Sequence, residues 1–401
     1  MPGHIKFTIV CLVAIFGLVA GYVWADMKFG TVTFTKEVTS LVETPVTAET
    51  TKEPVKEITT PVWPEILDTE EYDKRILTLS GYVPPTPVMV LSTSTTESGA
   101  VITRMVAATT TTSSSLKYSS TTNVTIDGQK WPPAAPYPYG GAILPFKRIL
   151  AYYGNFYSRQ MGILGELEPE AVLAKLALTQ AEWEAADPTT PVLPAIEYIA
   201  MVAQADAGTD GKYRAVMPDT EIDKAYALAQ KIDGIMILDI QVGLSTLEAE
   251  LPKFKKYLER PDVHFAIDPE FSMKNGEKPG TVIGTFNARD VNFVIDYLAD
   301  IVQEKQLPPK VLIVHRFTQN MVTQVSQIKP RPEVQVVMVM DGWGSKDLKR
   351  GTYQHIIEPE PVQFTGIKLF YKNDLKPPST GLLTPAEVLD LHPRPIYVQY
   401  Q

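Results

Sequence analysis

Lys310-Val-Leu-Ile-Val-His315 and, after a connector, Val334-Gln-Val-Val-Met-Val-Met340-Asp-Gly-Trp-Gly344 decide the fold. Both runs are short, rich in β-branched residues and apolar at nearly every position. A strand with no polar side is buried on both faces, which is the signature of a parallel sheet covered by helices. Each run also gives way to a polar residue, His315 in the first and Asp341 in the second.

The same texture extends outward in both directions. Similar runs occupy Arg148–Tyr153, Val192–Ile199, Gly234–Ile240, Val263–Asp268, Gly366–Tyr371 and Pro395–Tyr400. Helical patterns lie between them at Pro169–Ala186, Asp219–Lys231, Thr246–Arg260 and Ala288–Lys305, with shorter helices expected at Asn320–Ile328, Ser345–Ile357 and Pro385–Leu391. Glu168-Pro169, Met217-Pro218 and Thr384-Pro385 read as helix starts, because proline is pre-set for the first turn. Eight strands with seven helices within residues 148–401 match the size and period of a (β/α)8 TIM barrel. An open doubly wound sheet is the alternative, but no Gly-x-Gly-x-x-Gly turn follows the first strand.

The chain ahead of residue 147 reads differently. Residues 7–25 carry no charge; 19 residues at about 1.5 Å each span roughly 28 Å, close to a bilayer's hydrocarbon core. Lys6 precedes them, so the rest of the chain is expected on the far side of the membrane. Residues 1–26 are thus a signal anchor, spanning the membrane through residues 5–25, or a signal peptide cleaved after Ala25. Residues 27–146 contain Thr-rich stretches, Thr109–Ser115 and the Pro/Gly-rich Trp131–Gly141, and are expected to be a stalk. Arg75–Val83 and Ala100–Val106 are candidate strands of a small β module within it. The barrel domain takes residues 147–401.

Composition narrows the function. A net charge of −9 lacks the basic face that nucleic acid requires. A single cysteine, Cys11, excludes an internal disulfide and a Cys-based zinc centre. No Gly-x-Ser-x-Gly elbow or Walker loop is present.

In a barrel of this kind chemistry sits at the C-terminal ends of the strands. Those ends are polar here: Asn155 after the first, Glu197 in the second, Asp239 and Gln241 at the third, Asp268 and Glu270 at the fourth, His315 at the fifth, Asp341 at the sixth. Residues i and i+2 share a strand face, so these polar groups end apolar rows and should converge on one mouth. Crowded carboxylates cannot all ionise, which yields a protonated acid beside an ionised partner, the pair that glycoside hydrolysis uses. Glu270 is the expected general acid, Asp268 its orienting neighbour, and Asp341 or Asp239 the second carboxylate. Glu197, Gln241, Asn155, Tyr153, His315, Trp343 and Tyr371 are the expected substrate-binding residues. His315 with Asp239, Asp268 and Glu270 offers a possible metal set. The other histidines (His4, His264, His355, His392) are scattered, however, and no metal or other cofactor is expected. Asp at a strand end also commonly caps the next helix, so each acid has a structural alternative.

Ala151-Tyr-Tyr-Gly-Asn155, Met161-Gly-Ile-Leu-Gly165, Leu238-Asp-Ile-Gln-Val-Gly243, Ala266-Ile-Asp-Pro-Glu270, Val314-His-Arg-Phe-Thr318 and Met340-Asp-Gly-Trp-Gly344 resemble segments of a group of uncharacterised exported bacterial proteins, many of them lipoproteins. That group is similar to barrel-type glycoside hydrolases. The resemblance covers about residues 148–357 and implies the barrel, but no activity. The lipoprotein signature is absent here. Asp268-Pro-Glu270 is also similar to the Asp-x-Glu that chitin and peptidoglycan hydrolases carry after the fourth strand, which implies Glu270 as acid. The longer Asp-rich run of the chitinase type is missing.

The sequence therefore leads to an envelope-tethered barrel that binds and hydrolyses a glycan or cell-wall polymer, or is secreted if cleaved. The alternative is a non-catalytic surface protein that binds a glycan or partner on the same barrel.

Overall fold

The computed structural model describes residues 63–82, 88–96, 101–108 and 116–401. The expected membrane segment and its cleavage point lie outside the described residues. No helix among the described residues is long and apolar enough to cross a membrane. Residues Trp63–Gln401 form one compact unit.

Eight parallel strands close into a barrel: β1 Arg148–Gly154, β2 Val192–Ala203, β3 Ile235–Ile240, β4 Val263–Ile267, β5 Lys310–Arg316, β6 Val334–Met340, β7 Phe364–Leu369 and β8 Tyr397–Tyr400. Each pairs with the next, and β8 closes on β1 through Tyr397 opposite Ile149 and Tyr400 opposite Tyr152. Arg214–Val216 adds a short strand antiparallel to the last three residues of β2, Met201–Ala203.

Alternation along the strands produces two cores. The inward rows, including Ile149 and Ala151 of β1, Ile235 and Ile237 of β3, Val311 and Ile313 of β5, and Val337 and Val339 of β6, fill the lumen. The outward rows meet the helices: Leu150 and Tyr152, Met236 and Leu238, Leu312 and Val314, Val336 and Met338. Full burial of one such side chain is worth about 1.5–3 kcal/mol, so the barrel wall is defined twice over.

The helices follow local signals. The helix expected at Pro169–Ala186 is found with those bounds, as is Ala288–Lys305, which begins with a capping box between Asn287 and Asp290. Asp219–Gln230 and Pro385–Leu389 stop slightly earlier than expected. Lys346–Thr352 continues into a π turn at Tyr353–Ile357. The single helix expected at Thr246–Arg260 is broken instead into Leu247–Glu250, a 3-10 turn at Leu251–Phe254, and Lys255–Leu258. Pro252 explains the break, since it has no N–H to give to the preceding turn.

No α-helix forms at Asn320–Ile328. Two 3-10 turns, Gln319–Met321 and Val325–Gln327, flank a two-residue strand, Val322–Thr323, that pairs with Phe286–Asn287. Arg316 gathers this loop: its guanidinium donates to the carbonyls of Thr318, Gln319 and Val322 at 3.3, 3.0 and 3.2 Å. Those carbonyls turn toward the arginine instead of along a helix.

The stalk expected at residues 27–146 is corrected at several stretches from Trp63 onward. Thr69–Leu79 is a helix, not the start of a strand, capped by Asp68 through the Glu71 amide. Tyr72, Ile76 and Leu79 follow helical spacing, and all three are buried in the same core as the barrel's inward rows. Trp131 and Leu144 join that core, and the Trp131 indole donates to the Gln363 carbonyl at 3.1 Å. Low complexity in composition hid a few well-spaced large apolar residues. The expected β module is partly present as an antiparallel hairpin of Val88–Thr95 with Val101–Ala108.

Candidate functional site: a polar cup over an apolar barrel

The polar residue that ends each inward row points into the lumen above the apolar layers. Tyr153, Glu197, Asp239, Asp268, His315 and Asp341 are all buried, as are Lys368 of β7 and Gln399 of β8. Glu197, Asp239, Asp268, His315 and Asp341 were anticipated from the row-ending pattern, and Tyr153 as a substrate-binding residue. Lys368 and Gln399 complete the ring by the same rule, because Phe364, Gly366 and Lys368 alternate inward, as do Tyr397 and Gln399.

His315 lies at the centre of the polar contacts. Its Nε2 is 3.4 Å from Glu197 Oε1 and its Nδ1 is 3.1 Å from Asp341 Oδ2, within ion-pair range but off the line of a hydrogen bond. Lys368 Nζ reaches both Asp341 oxygens, at 3.1 and 3.3 Å, and lies 3.8 Å from the centre of the Tyr153 ring. The Tyr153 hydroxyl donates to Asp239 Oδ2 at 2.8 Å, and the Tyr397 hydroxyl donates to Glu197 Oε2. Gln241 donates to Asp268 Oδ2 at 3.2 Å and accepts from the Ala203 amide at 3.0 Å. Asp268 Oδ1 accepts from the Glu270 amide at 3.0 Å, which fixes the turn that carries Glu270.

These surroundings separate the carboxyls. Burial, reinforced by the charges of Asp268 and Asp341, pushes Glu270 up to about 8. Burial is also the chief reason that Asp268 is raised to about 7 and Asp239 to about 6. Asp341 is equally desolvated, yet Lys368 and His315 outweigh burial and hold it below the ordinary carboxylate range. His315 is pushed well above its ordinary value: burial opposes its charge, but Asp341, Glu197 and Asp239 overcome that. The cup thus holds a half-buried carboxylic acid, Glu270, near an ionised carboxylate, Asp341.

Two expected substrate-binding residues lie apart from the polar ring and are engaged by the fold. Asn155 is consumed by structure: its amide donates to the Ile199 carbonyl at 2.9 Å and to Tyr198 at 3.3 Å, and its oxygen accepts from the Tyr157 amide. Tyr371 packs against Tyr152 and Tyr400, on the outward side of the wall near Thr179 of the Pro169–Ala186 helix. It follows the outward row of β7, which one-residue alternation could have revealed. Trp343 stands exposed on the loop after β6, two residues beyond Asp341, with the Lys376 ammonium 5.3 Å from its ring.

The loops beneath that rim are braced by charge. Lys349 and Asp374, both buried, pair at 3.0 Å. Asp374 accepts from the Gly344 and Phe370 amides at 2.9 Å, tying the loop after β6 to the loop after β7. Arg316, on the outward row, pairs with Glu360 at 2.7 Å and does not enter the cup.

Neither a protein-family model nor a curated protein matches this chain.

Proposed function

We propose that the barrel binds a glycan at its C-terminal mouth and hydrolyses it by carboxylate acid/base catalysis. Glu270 is the general acid, protonated near neutral pH and placed at the accessible edge of the cup. Asp341 is the ionised partner, acting as nucleophile or as base toward water. Asp239 is the poorer choice for that role, because it is fully buried and held by Tyr153. Asp268 positions Glu270 through the turn amide, and Trp343 offers an exposed ring for stacking on a sugar face. Delivery of the barrel to the cell envelope by residues 1–26 belongs to the same proposal.

What supports this reading is the placement of both carboxyls at one mouth, where burial raises Glu270 to about 8 while Lys368 and His315 hold Asp341 below the ordinary carboxylate range. The experiment is release of reducing ends from cell-wall and other polysaccharides by the full chain and by Glu270→Gln. General acid catalysis contributes roughly 100- to 10,000-fold, so the variant should lose at least about 100-fold.

The Asp341–Lys368 ion pair favours a second reading. A carboxylate neutralised at 3.1 Å is a weaker nucleophile, and a barrel built this way also suits a non-catalytic glycan-binding protein. Glycan binding without turnover by the wild-type chain would select that reading.

A further inference from the structure

Below Glu270 the lumen holds a second constellation that the acid/base scheme does not use. Glu197 of β2, Asp239 of β3 and His315 of β5 are each 0% exposed, and one ligand-type atom from each lies within 4.8 Å of the other two. They come from three strands, so the barrel wall fixes their spacing.

One oxygen of each carboxylate is already held: Glu197 Oε2 accepts from Tyr397 and Asp239 Oδ2 accepts from Tyr153. The remaining atoms are not: Glu197 Oε1, Asp239 Oδ1 and both ring nitrogens of His315 have no hydrogen-bond partner among the described residues, Nδ1 facing Asp341 at 3.1 Å. Gln399 is a separate sign of the same deficit. It is fully buried on the inward row of Tyr397, whose hydroxyl reaches Glu197, and neither its amide oxygen nor its amide nitrogen is paired among the described residues. Leaving several such groups bare in a dry interior is costly, and one guest that meets them together removes the cost.

We propose that Glu197, Asp239 and His315 bind a divalent first-row transition-metal ion such as Zn2+ or Mn2+, which displaces the proton from His315 Nε2 to solvent as it binds. One imidazole and two carboxylates suit such ions better than the all-oxygen shells of Ca2+. Metal–donor distances of about 2.1 Å put neighbouring donors roughly 3–4 Å apart. His315 Nε2 and Glu197 Oε1 are at 3.4 Å already, and the whole set lies within 4.8 Å, so it closes on an ion by drawing together about 1 Å. Asp341, Tyr397 and Tyr153 then serve as the outer partners that orient a ligating histidine and two ligating carboxylates. Lys368 does not compete for these donors, being committed to Asp341 and to the face of the Tyr153 ring. Three protein donors leave coordination positions for water.

The test uses the full chain, stripped with a chelator, reloaded separately with Zn2+ and Mn2+, and separated from free metal before elemental analysis. Affinity is read by competition with a chromophoric chelator. The expected result is about one equivalent per chain with at least one of the two ions. Glu197→Gln and Asp239→Asn, with circular dichroism and melting checked, should retain less than about a tenth of that, because each loses a charged donor. Glu270→Gln should retain the full equivalent, which separates this site from the proposed hydrolytic pair. Tyr397→Phe, which removes only an outer partner, should weaken binding about 10- to 100-fold. If either ligand variant fails to fold, wild-type stoichiometry and the Tyr397→Phe shift decide. A folded wild-type chain that retains less than about a tenth of an equivalent of both ions overturns the proposal. So does wild-type affinity in folded Glu197→Gln and Asp239→Asn, or in Tyr397→Phe.

Discussion

Lys368 Nζ stands 3.1 Å from Asp341 Oδ1, and both side chains are buried at the ends of neighbouring strands, β7 and β6. This pair sets the electrostatics of the cup. It keeps Asp341 ionised where burial alone would protonate it, and the resulting charge helps to hold the proton on Glu270. Breaking a buried pair from one side leaves an uncompensated charge and costs about 3–5 kcal/mol. Asp341→Asn should therefore destabilise the chain by about that much in urea unfolding. Asp341→Asn combined with Lys368→Met should cost less than the two single changes added together. Strict additivity would mean that the two side chains do not interact.

Glu270 gives the account its pH dependence. Its folded affinity for protons exceeds that of an unfolded glutamate, so its contribution to stability is full below about 4.5 and is lost as pH rises through about 8. Melting of the wild type should decline across that interval more steeply than melting of Glu270→Gln. If hydrolysis is found, its basic limb should fall near the same upper value. Parallel melting profiles for the two chains would place Glu270 in ordinary solvent.

Gly366 allows the ring of Tyr397 to pass close to β7. An added Cβ there would lie 2.7 Å from Tyr397 Cδ1 and 2.9 Å from Val339 Cγ2. Both contacts are with side chains in a packed lumen, so Gly366→Ala should cost about 1–3 kcal/mol. It should also draw the Tyr397 hydroxyl away from Glu197. Wild-type stability in this variant would show that the lumen has slack at this level.

Tyr72 tests the attachment of the Thr69–Leu79 helix to the barrel core. It is fully buried, with Tyr137 and Phe146 packed edge-on at 5.6 and 6.1 Å. Tyr72→Ala should destabilise the cooperative unfolding of the barrel by about 3–5 kcal/mol, as other large aromatic truncations do. A change confined to a separate, minor transition would detach this helix from the core.

All eight barrel strands were legible because an apolar run such as Val334–Met340 has one reading when helical patterns flank it on both sides. Most of the cup was legible too, since period-two alternation assigns Asp239, His315 and Asp341 to the inward face without any tertiary information. Lys368 and Gln399 obey the same alternation, but a basic or amide residue attracts less notice than an acid when the chemistry sought is acidic. Tyr371 continues the outward row of β7, so the same alternation already turns it away from the cup toward the Tyr152 hydroxyl. Asn155 differs: its partner, the Ile199 carbonyl, is brought to it by the pairing of β1 with β2, which no local pattern encodes. The helix at Thr69–Leu79 was obscured by its Thr- and Pro-rich surroundings, although Tyr72, Ile76 and Leu79 carry its spacing.

The central claim is that Glu270, kept protonated by its place in the cup, delivers a proton to a glycosidic oxygen. It is tested most directly by measuring reducing-end release from a panel of cell-wall and other polysaccharides with the wild-type chain and with Glu270→Gln, both shown to be folded. The account predicts turnover of at least one glycan by the wild type and a loss of about 100-fold or more in the variant. Equal rates for the two chains, or no turnover of any glycan by the wild type, would contradict it.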